Sequence, residues 1–212
     1  MSPPRSPRYE GVLFDLLSAL LDSWSLWNAV AGSEEKGLEW RKALLRRVYT
    51  APAYRPYEEV LAGATADVGL PQKCAREVLR RWDELKPWPA AKEVLAELVR
   101  HVPLAVATNC SDELGRRAAA LIGVPFKAVA TAERAGFYKP DPRIYRLGLA
   151  GLELPPDRVL FVAGSPGDVG GATAIGFRVF WHNPLGLPLP EGSPSPAVTV
   201  STLRPLLDEV LG

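Results

Sequence analysis

Gly11-Val12-Leu13-Phe14-Asp15, followed by Leu16-Leu17-Ser18-Ala19, is the stretch that decides the fold. The apolar run is too brief for a helix and a carboxylate closes it, so Gly11 to Phe14 reads as a fully buried strand. Asp15 then sits at the strand's carboxyl tip ahead of a tight turn, a position suited to nucleophilic attack. Two residues later stands Leu17, which is not acidic. No second carboxylate is therefore at hand to protonate a leaving alkoxide, as phosphate-ester chemistry requires. The pair of observations points to a leaving group that departs as a stable anion.

Outward from that strand the periodicity changes. From Leu20 to about Lys86 the pattern is helical: Leu38, Lys42, Leu45 and Tyr49 fall roughly on one face, with Arg41 and Arg46 beside them. Tyr57 to Ala66 and Gln72 to Leu85 give further helices, the latter after Pro71. No strand signal interrupts them, which predicts an all-helical insert over 20–86. After Lys86-Pro87-Trp88-Pro89, strands at Val102 to Ala107, Ala128 to Ala130, Val159 to Ala163, Arg178 to Trp181 and Ala197 to Val200 alternate with helices. Those helices are expected at Ala90 to Arg100, up to Leu121 behind a Ser111 or Asp112 cap, at Pro142 to Leu152, Val169 to Ile175 and Thr202 to Leu211. Such alternation predicts an α/β protein, a doubly wound, Rossmann-like parallel sheet built from 1–19 and 87–212 and carrying the 20–86 insert. Ligands of these sheets bind at the carboxyl ends of the strands. Asp15, Thr108-Asn109 and the Gly164 to Asp168 turn all lie at such ends.

Composition narrows the function classes. A chain of 212 residues, 47% hydrophobic and 23% charged, has room for one sizeable core and an inserted subdomain. A net charge of +1 gives no basic excess for nucleic acid. No apolar stretch reaches the ~18 residues of a membrane span, and Met1 to Glu10 lacks the apolar segment of a secretory signal. A cytoplasmic protein acting on a small molecule is the resulting expectation. Two cysteines, Cys74 and Cys110, make neither a disulfide framework nor a zinc site. The 21 prolines, four amide side chains and single Met suggest heat tolerance.

Four segments in order, Val12-Leu-Phe-Asp15, Thr108-Asn109, Lys139-Pro-Asp-Pro142 and Ser165-Pro-Gly-Asp168, resemble the haloacid dehalogenase superfamily over nearly the whole chain. That resemblance implies its core fold, with a helical cap where the insert lies. Most members resemble a pattern with Asp two residues after the nucleophile and Asp in the final turn, which organise magnesium; here those positions are Leu17 and Gly164. The 2-haloacid dehalogenases, which are metal-free, look closest. The resemblance implies Asp15 as the nucleophile that displaces halide and forms an ester. It implies Arg41 and Asn109 as a cradle for halide and substrate, and Lys139 as the cation holding the carboxylates. Asp168 would direct the hydrolytic water, Tyr145 would lie near Lys139 and substrate, and Thr108 would bond the nucleophile or the substrate carboxylate. Ser165 would take part in substrate binding. No metal or other cofactor is expected, and the substrate is a small organic acid.

The sequence also departs from that pattern. The dehalogenases typically carry Tyr at Leu17, Gly-Thr at Ser18-Ala19, Ser at Ala163 and Asn at Ser165. These losses weaken the water-orienting end of the site and predict slow ester hydrolysis or a different substrate. Two alternatives follow: a degenerate binder of small anions or a partner, and a weak phosphatase holding magnesium at Asp15 and Asp168. Other residues have structural readings as well. Arg41 lies among Lys42, Arg46 and Arg47, as on a solvated helix face. Asp168 suits the N-cap of a helix starting at Val169. Trp24, Trp27 and Trp40 read as cap core, pocket wall or the face of a homodimer. Cys110 is expected to be inert, and His101 and His182 structural.

Overall fold

The structure is a computed structural model that describes residues 7–212; most of the Met1 to Glu10 segment therefore lies outside the described residues. Strand β1 (Gly11–Asp15) is buried along its length and leads to a short strand β2 (Leu21–Asp22). Four helices follow: α1 (Ser23–Ala31), α2 (Glu34–Thr50), α3 (Tyr57–Asp67) and α4 (Lys73–Arg80). Strand β3 (Lys86–Pro87) pairs antiparallel with β2, so one small ribbon carries the chain both out to the helices and back. The remaining elements are α5 (Ala91–Leu98), β4 (Leu104–Thr108), α6 (Asp112–Ala120), β5 (Ala128–Thr131), α7 (Ala132–Ala135) and α8 (Pro142–Leu152). Then come β6 (Val159–Ala163), α9 (Pro166–Thr173), β7 (Arg178–His182), β8 (Val198–Val200) and α10 (Pro205–Leu211).

The six-stranded parallel sheet runs β5-β4-β1-β6-β7-β8. Its central strands β1, β4 and β6 are apolar and buried throughout, as expected where helices cover both faces. Burying a side chain such as Phe14 or Phe161 contributes about 1.5–3 kcal/mol each, and both are fully enclosed. Register places Asp15 opposite Ala107 and Phe14 opposite Val162, so the ends of β1, β4 and β6 lie level. From β1 the sheet winds to β4 on one side, while β6 winds to β7 on the other. Asp15 therefore sits at a topological switch point, where the diverging connections leave a crevice.

The helical insert has its own aromatic core. Trp27 packs on Trp40 and Trp82 with ring centroids 6.2 and 5.8 Å apart, and Tyr57 meets Trp82 at 5.9 Å. One indole ties the insert to the sheet unit, Trp82 Nε1 donating to the Leu114 carbonyl at 2.9 Å, and within the sheet unit Trp88 Nε1 donates to the Ser18 carbonyl at 2.8 Å beside the return ribbon. Among the described residues no helix is long and apolar enough to cross a membrane.

Several local expectations are corrected. The segment Gln72 to Leu85 is not one helix: α4 ends at Arg80 and a 3-10 turn, Trp82–Glu84, follows. The buried residues of α2 are Gly37, Trp40, Arg41, Ala43, Leu44 and Val48, whereas Lys42 is exposed. The tryptophan anchors and the close approach of α1 to α2 set that rotation: a side chain on Gly37 would strike the backbone of Asn28. Helix α9 starts at Pro166, three residues earlier than expected, so Ser165 takes the N-cap position and Asp168 lies in the first turn. The final helix begins at Pro205, not Thr202.

Candidate active site

Three strand ends bring the charged residues together. Asp15 closes β1, and the turn after it folds back so that the backbone amides of Ser18 and Ala19 donate to Asp15 Oδ2 at 2.9 and 3.0 Å. Lys139 Nζ donates to Asp15 Oδ1 at 2.6 Å and lies 3.0 Å from Asp168 Oδ1, one ammonium between two carboxylates. All three side chains are buried. A carboxylate offers about four lone-pair sites, and these three donors leave Asp15 one to present to an electrophile.

Electrostatics follows from that enclosure. Burial alone would lower the Lys139 pKa, but Asp15 and Asp168 together outweigh it and raise the pKa above the ordinary lysine value. Burial pushes the Asp168 carboxyl up from the usual range, only partly countered by Lys139, while the Asp15 charge adds to the rise. A carboxylate so raised is a better proton acceptor near neutrality. Ser165 Oγ donates to Asp168 Oδ2 at 3.0 Å and the Tyr145 hydroxyl to Oδ1 at 3.4 Å.

The opposite wall comes from α2 and α3. A cavity of ≈ 40 Å³ separates it from Asp15 and is lined by Leu17, Ser18, Leu44, Leu45 and Val48 besides the polar groups. One water needs ~10–15 Å³ on this measure, so the space suits a ligand of a few heavy atoms. Arg41 reaches this cavity although it is 4% exposed. Its Cζ lies 5.0 and 4.8 Å from the rings of Trp24 and Trp27, which hold the guanidinium by cation–π contact. Among the described residues its one hydrogen bond is from Nη2 to Ser18 Oγ at 3.3 Å, and its buried Nε finds no partner there. Among the described residues Arg41 has no ion pair with a carboxylate. Burial lowers its pKa. The buried hydroxyl of Tyr57, another lining group, also lacks a partner.

The structure thus brings Asp15, Arg41, Asn109, Lys139, Ser165 and Asp168 around one cavity. Two residues expected at the substrate stand elsewhere. Thr108 is fully buried and its hydroxyl meets Cys110 Sγ at 3.4 Å, because the β4 pleat turns it away from the cavity. Tyr145 is likewise enclosed behind Asp168 and braces that carboxylate without lining the cavity. Asn109 clamps the Lys139 backbone, accepting from its N–H at 2.6 Å and donating to its carbonyl at 3.3 Å, which leaves one amide hydrogen for the cavity. The reading of Arg41 as solvated does not hold. Nor do the tryptophans wall the cavity or face outward; all three are buried, and two hold Arg41. Burial pushes the Cys110 thiol up to about 12, so it stays protonated. His182 Nδ1 meets the Ala19 carbonyl at 2.8 Å, packed beneath the nucleophile's turn, and burial lowers its pKa.

Sequence reasoning missed Tyr49 and Tyr57. For the α2 wall a signal existed: residues three, four, seven and eight after Arg41 are Leu44, Leu45, Val48 and Tyr49, the spacing of one helix face. Tyr57 arrives on the next helix and had no such marker.

A family model for haloacid dehalogenase-like hydrolases matches residues 9–176. Haloacetate dehalogenase H-2 of Moraxella sp. (strain B) is 28% identical and is aligned over 96% of this chain and 97% of its own length. Phosphoserine phosphatase of Thermus thermophilus is 31% identical over 69% of this chain and 62% of its own. A crystal structure of a dehalogenase with an intermediate complex superposes with a TM-score of 0.84 at 26% identity, covering 97% of this chain and 98% of the other.

Proposed function

The chain belongs to the haloacid dehalogenase-like hydrolases and is an enzyme of the kind that acts on carbon–halide bonds; from that premise we propose that it hydrolyses small 2-haloacids without a metal, through an ester on Asp15. The observation that carries this reading is the buried, unpaired Arg41 cation facing the Asp15 carboxylate across a cavity of ≈ 40 Å³. An uncompensated buried charge costs several kcal/mol, and an anionic ligand offsets that cost.

In the first half-reaction a carboxylate oxygen of Asp15 attacks the halogen-bearing carbon. The C–O bond forms as the carbon–halide bond breaks, and halide leaves with the bonding pair toward Arg41. Asn109 supplies its remaining N–H, and the ester is now uncharged. Lys139, held by two carboxylates, keeps Asp15 oriented before attack. In the second half-reaction water adds to the Asp15 carbonyl carbon while its proton passes to Asp168. The tetrahedral species collapses, the alkoxide takes a proton from Asp168, and the 2-hydroxy acid departs; one proton and one halide are released per turnover. Preorganised donors of this sort contribute on the order of 10²–10³ in rate each.

A divalent metal does not fit these residues. Magnesium favours near-octahedral oxygen ligands, but Lys139 already occupies the space between Asp15 and Asp168. Leu17 presents an apolar side chain to the cavity. The backbone of Gly164 packs so closely on Ser18 and Ala19 that any side chain there would collide with the turn that holds Asp15 Oδ2. A third carboxylate at that position is sterically barred. No cluster of three metal-ligating side chains exists among the described residues.

The test is halide release from chloroacetate and 2-chloropropionate in the presence of EDTA, with the Asp15→Asn variant alongside. Release that survives EDTA and vanishes in the variant is the expected outcome. Phosphate ester turnover abolished by EDTA, or halide release that persists without the Asp15 carboxylate, would overturn the mechanism.

A further inference from the structure

One group at the hydrolytic end of the cavity has no part in the mechanism above. Tyr49 sits on the last turn of α2 at the rim of the cavity, 37% exposed as a residue. Its hydroxyl points the other way, into the site. A β-carbon on Gly167 would overlap that hydroxyl, so the missing side chain at 167 is the gap that admits it. Inside, the phenol lines the same cavity as Ser165, whose Oγ donates to Asp168 Oδ2 at 3.0 Å. A carboxylate only accepts, so the serine proton is committed to Asp168 and the Ser165 oxygen is left free to accept from the phenol. Burial, with the nearby Asp168 charge, pushes the phenol up to about 12 and keeps it a donor.

This arrangement bears on the two departures at the water-orienting end, the missing hydroxyl of Ala163 and the short side chain of Ser165. We propose that Tyr49 is a positioning residue for ester hydrolysis, reaching from α2 to hold Ser165 and, through it, the Asp168 carboxylate that takes the proton from water. The inference rests on the mechanism given above. Tyr145 fixes Oδ1 of Asp168 from behind; Tyr49 and Ser165 fix Oδ2 from the cavity side. Two oxygens held from two directions leave the carboxylate one orientation. Because Tyr49 belongs to the helical insert and Ser165 to the sheet unit, the chain of hydrogen bonds is complete only while the two are packed together. The first half-reaction does not use it.

The experiment compares the unaltered full-length chain with Tyr49→Phe, and separately with Gly167→Ala, which keeps the phenol but displaces it. Rapid-quench halide release reads the first turnover, steady-state halide release reads the cycle, and intact mass reads the ester on Asp15. For Tyr49→Phe the first-turnover rate should stay within about twofold while steady-state kcat falls roughly tenfold, the scale of one hydrogen bond lost from a transition state. The Asp15 adduct should accumulate, and the acid limb of the kcat profile should move to higher pH as Asp168 loses a stabilising donor chain. Gly167→Ala should reproduce the split. Equal loss of both phases, or an unchanged kcat with no adduct, overturns the proposal. If the unaltered chain releases no halide and forms no adduct, the dehalogenation mechanism fails first and takes the role of Tyr49 with it.

Discussion

On the sheet side of the cavity, Asp15, Lys139 and Asp168 answer one another within 2.6 and 3.0 Å, and backbone amides complete the set. On the helical side, Arg41 and Tyr57 are equally buried yet keep an N–H and an O–H with no partner. The same burial therefore has opposite meanings. A satisfied ionic cluster is a structural unit that also does chemistry, whereas an unsatisfied cation is a ligand site whose energetic cost the empty protein carries alone. Nucleophile and base are fixed by the sheet; the leaving group is received by the insert.

Removing a charge from each side should reveal that difference by sign. The largest effect is expected from Lys139→Met, which strands two buried carboxylates beside each other. Breaking such a pair costs about 3–5 kcal/mol, read as a lowered urea midpoint at unchanged slope. The folded pKa of Lys139 is raised, so its stabilising contribution is fully present below the unfolded value near ~10.4. It is lost only as pH rises through the still higher folded value. At neutral pH the variant must show the whole deficit, and an unchanged midpoint would break the comparison.

Arg41→Met should do the reverse. Replacing an unpaired buried cation by a side chain of similar length is expected to leave stability unchanged or raise it by about 1 kcal/mol. Steady-state halide release should nevertheless fall on the order of 10²-fold with the loss of the anion's donor. Adding bromide should raise the thermal midpoint of the unaltered chain by mass action and not that of the variant. A destabilised Arg41→Met protein would show that the guanidinium serves mainly to stack on Trp24 and Trp27.

The smallest effect concerns pH. The Asp168 carboxyl is held above its ordinary range, chiefly by burial. As general base it must be ionised, so kcat should fall as pH drops through a value above the ~3.9 of a free aspartate. The first-turnover halide burst should keep its size at pH values where kcat has begun to fall. An acid limb shared equally by both phases would assign the titration to the nucleophile instead.

The fold was legible because its central strands are enclosed on both sides and so read as unbroken apolar runs, β1 and β4 each ending on a polar residue. Asp15, Asn109 and Asp168 could be placed on a common edge from order alone, since strand ends in a parallel sheet lie level, whereas Lys139 was implied only by the family resemblance. What failed was orientation. Thr108 and Asn109 are neighbours, yet the pleat sends one hydroxyl into the core and leaves the other side chain at the cavity. Tyr145 was expected near Lys139 and the substrate, but its hydroxyl meets Asp168 from behind the carboxylate. On α2 the stripe of Leu38, Lys42, Leu45 and Tyr49 divides, Lys42 exposed and Leu45 with Tyr49 at the cavity, while aromatic packing turns Trp40, Arg41 and Leu44 inward.

The sequence by itself determined which chemical groups stand at which strand ends, and that no acid follows the nucleophile at Leu17. Those are properties of local order, written along a few consecutive residues at a time. Tertiary structure alone decided that Arg41 is buried without an ion pair among the described residues, that Gly164 shuts out a further carboxylate, and that Tyr49 enters the space left at Gly167. Each depends on how closely two distant segments approach, and residue type does not encode that separation until the helices have packed on the sheet.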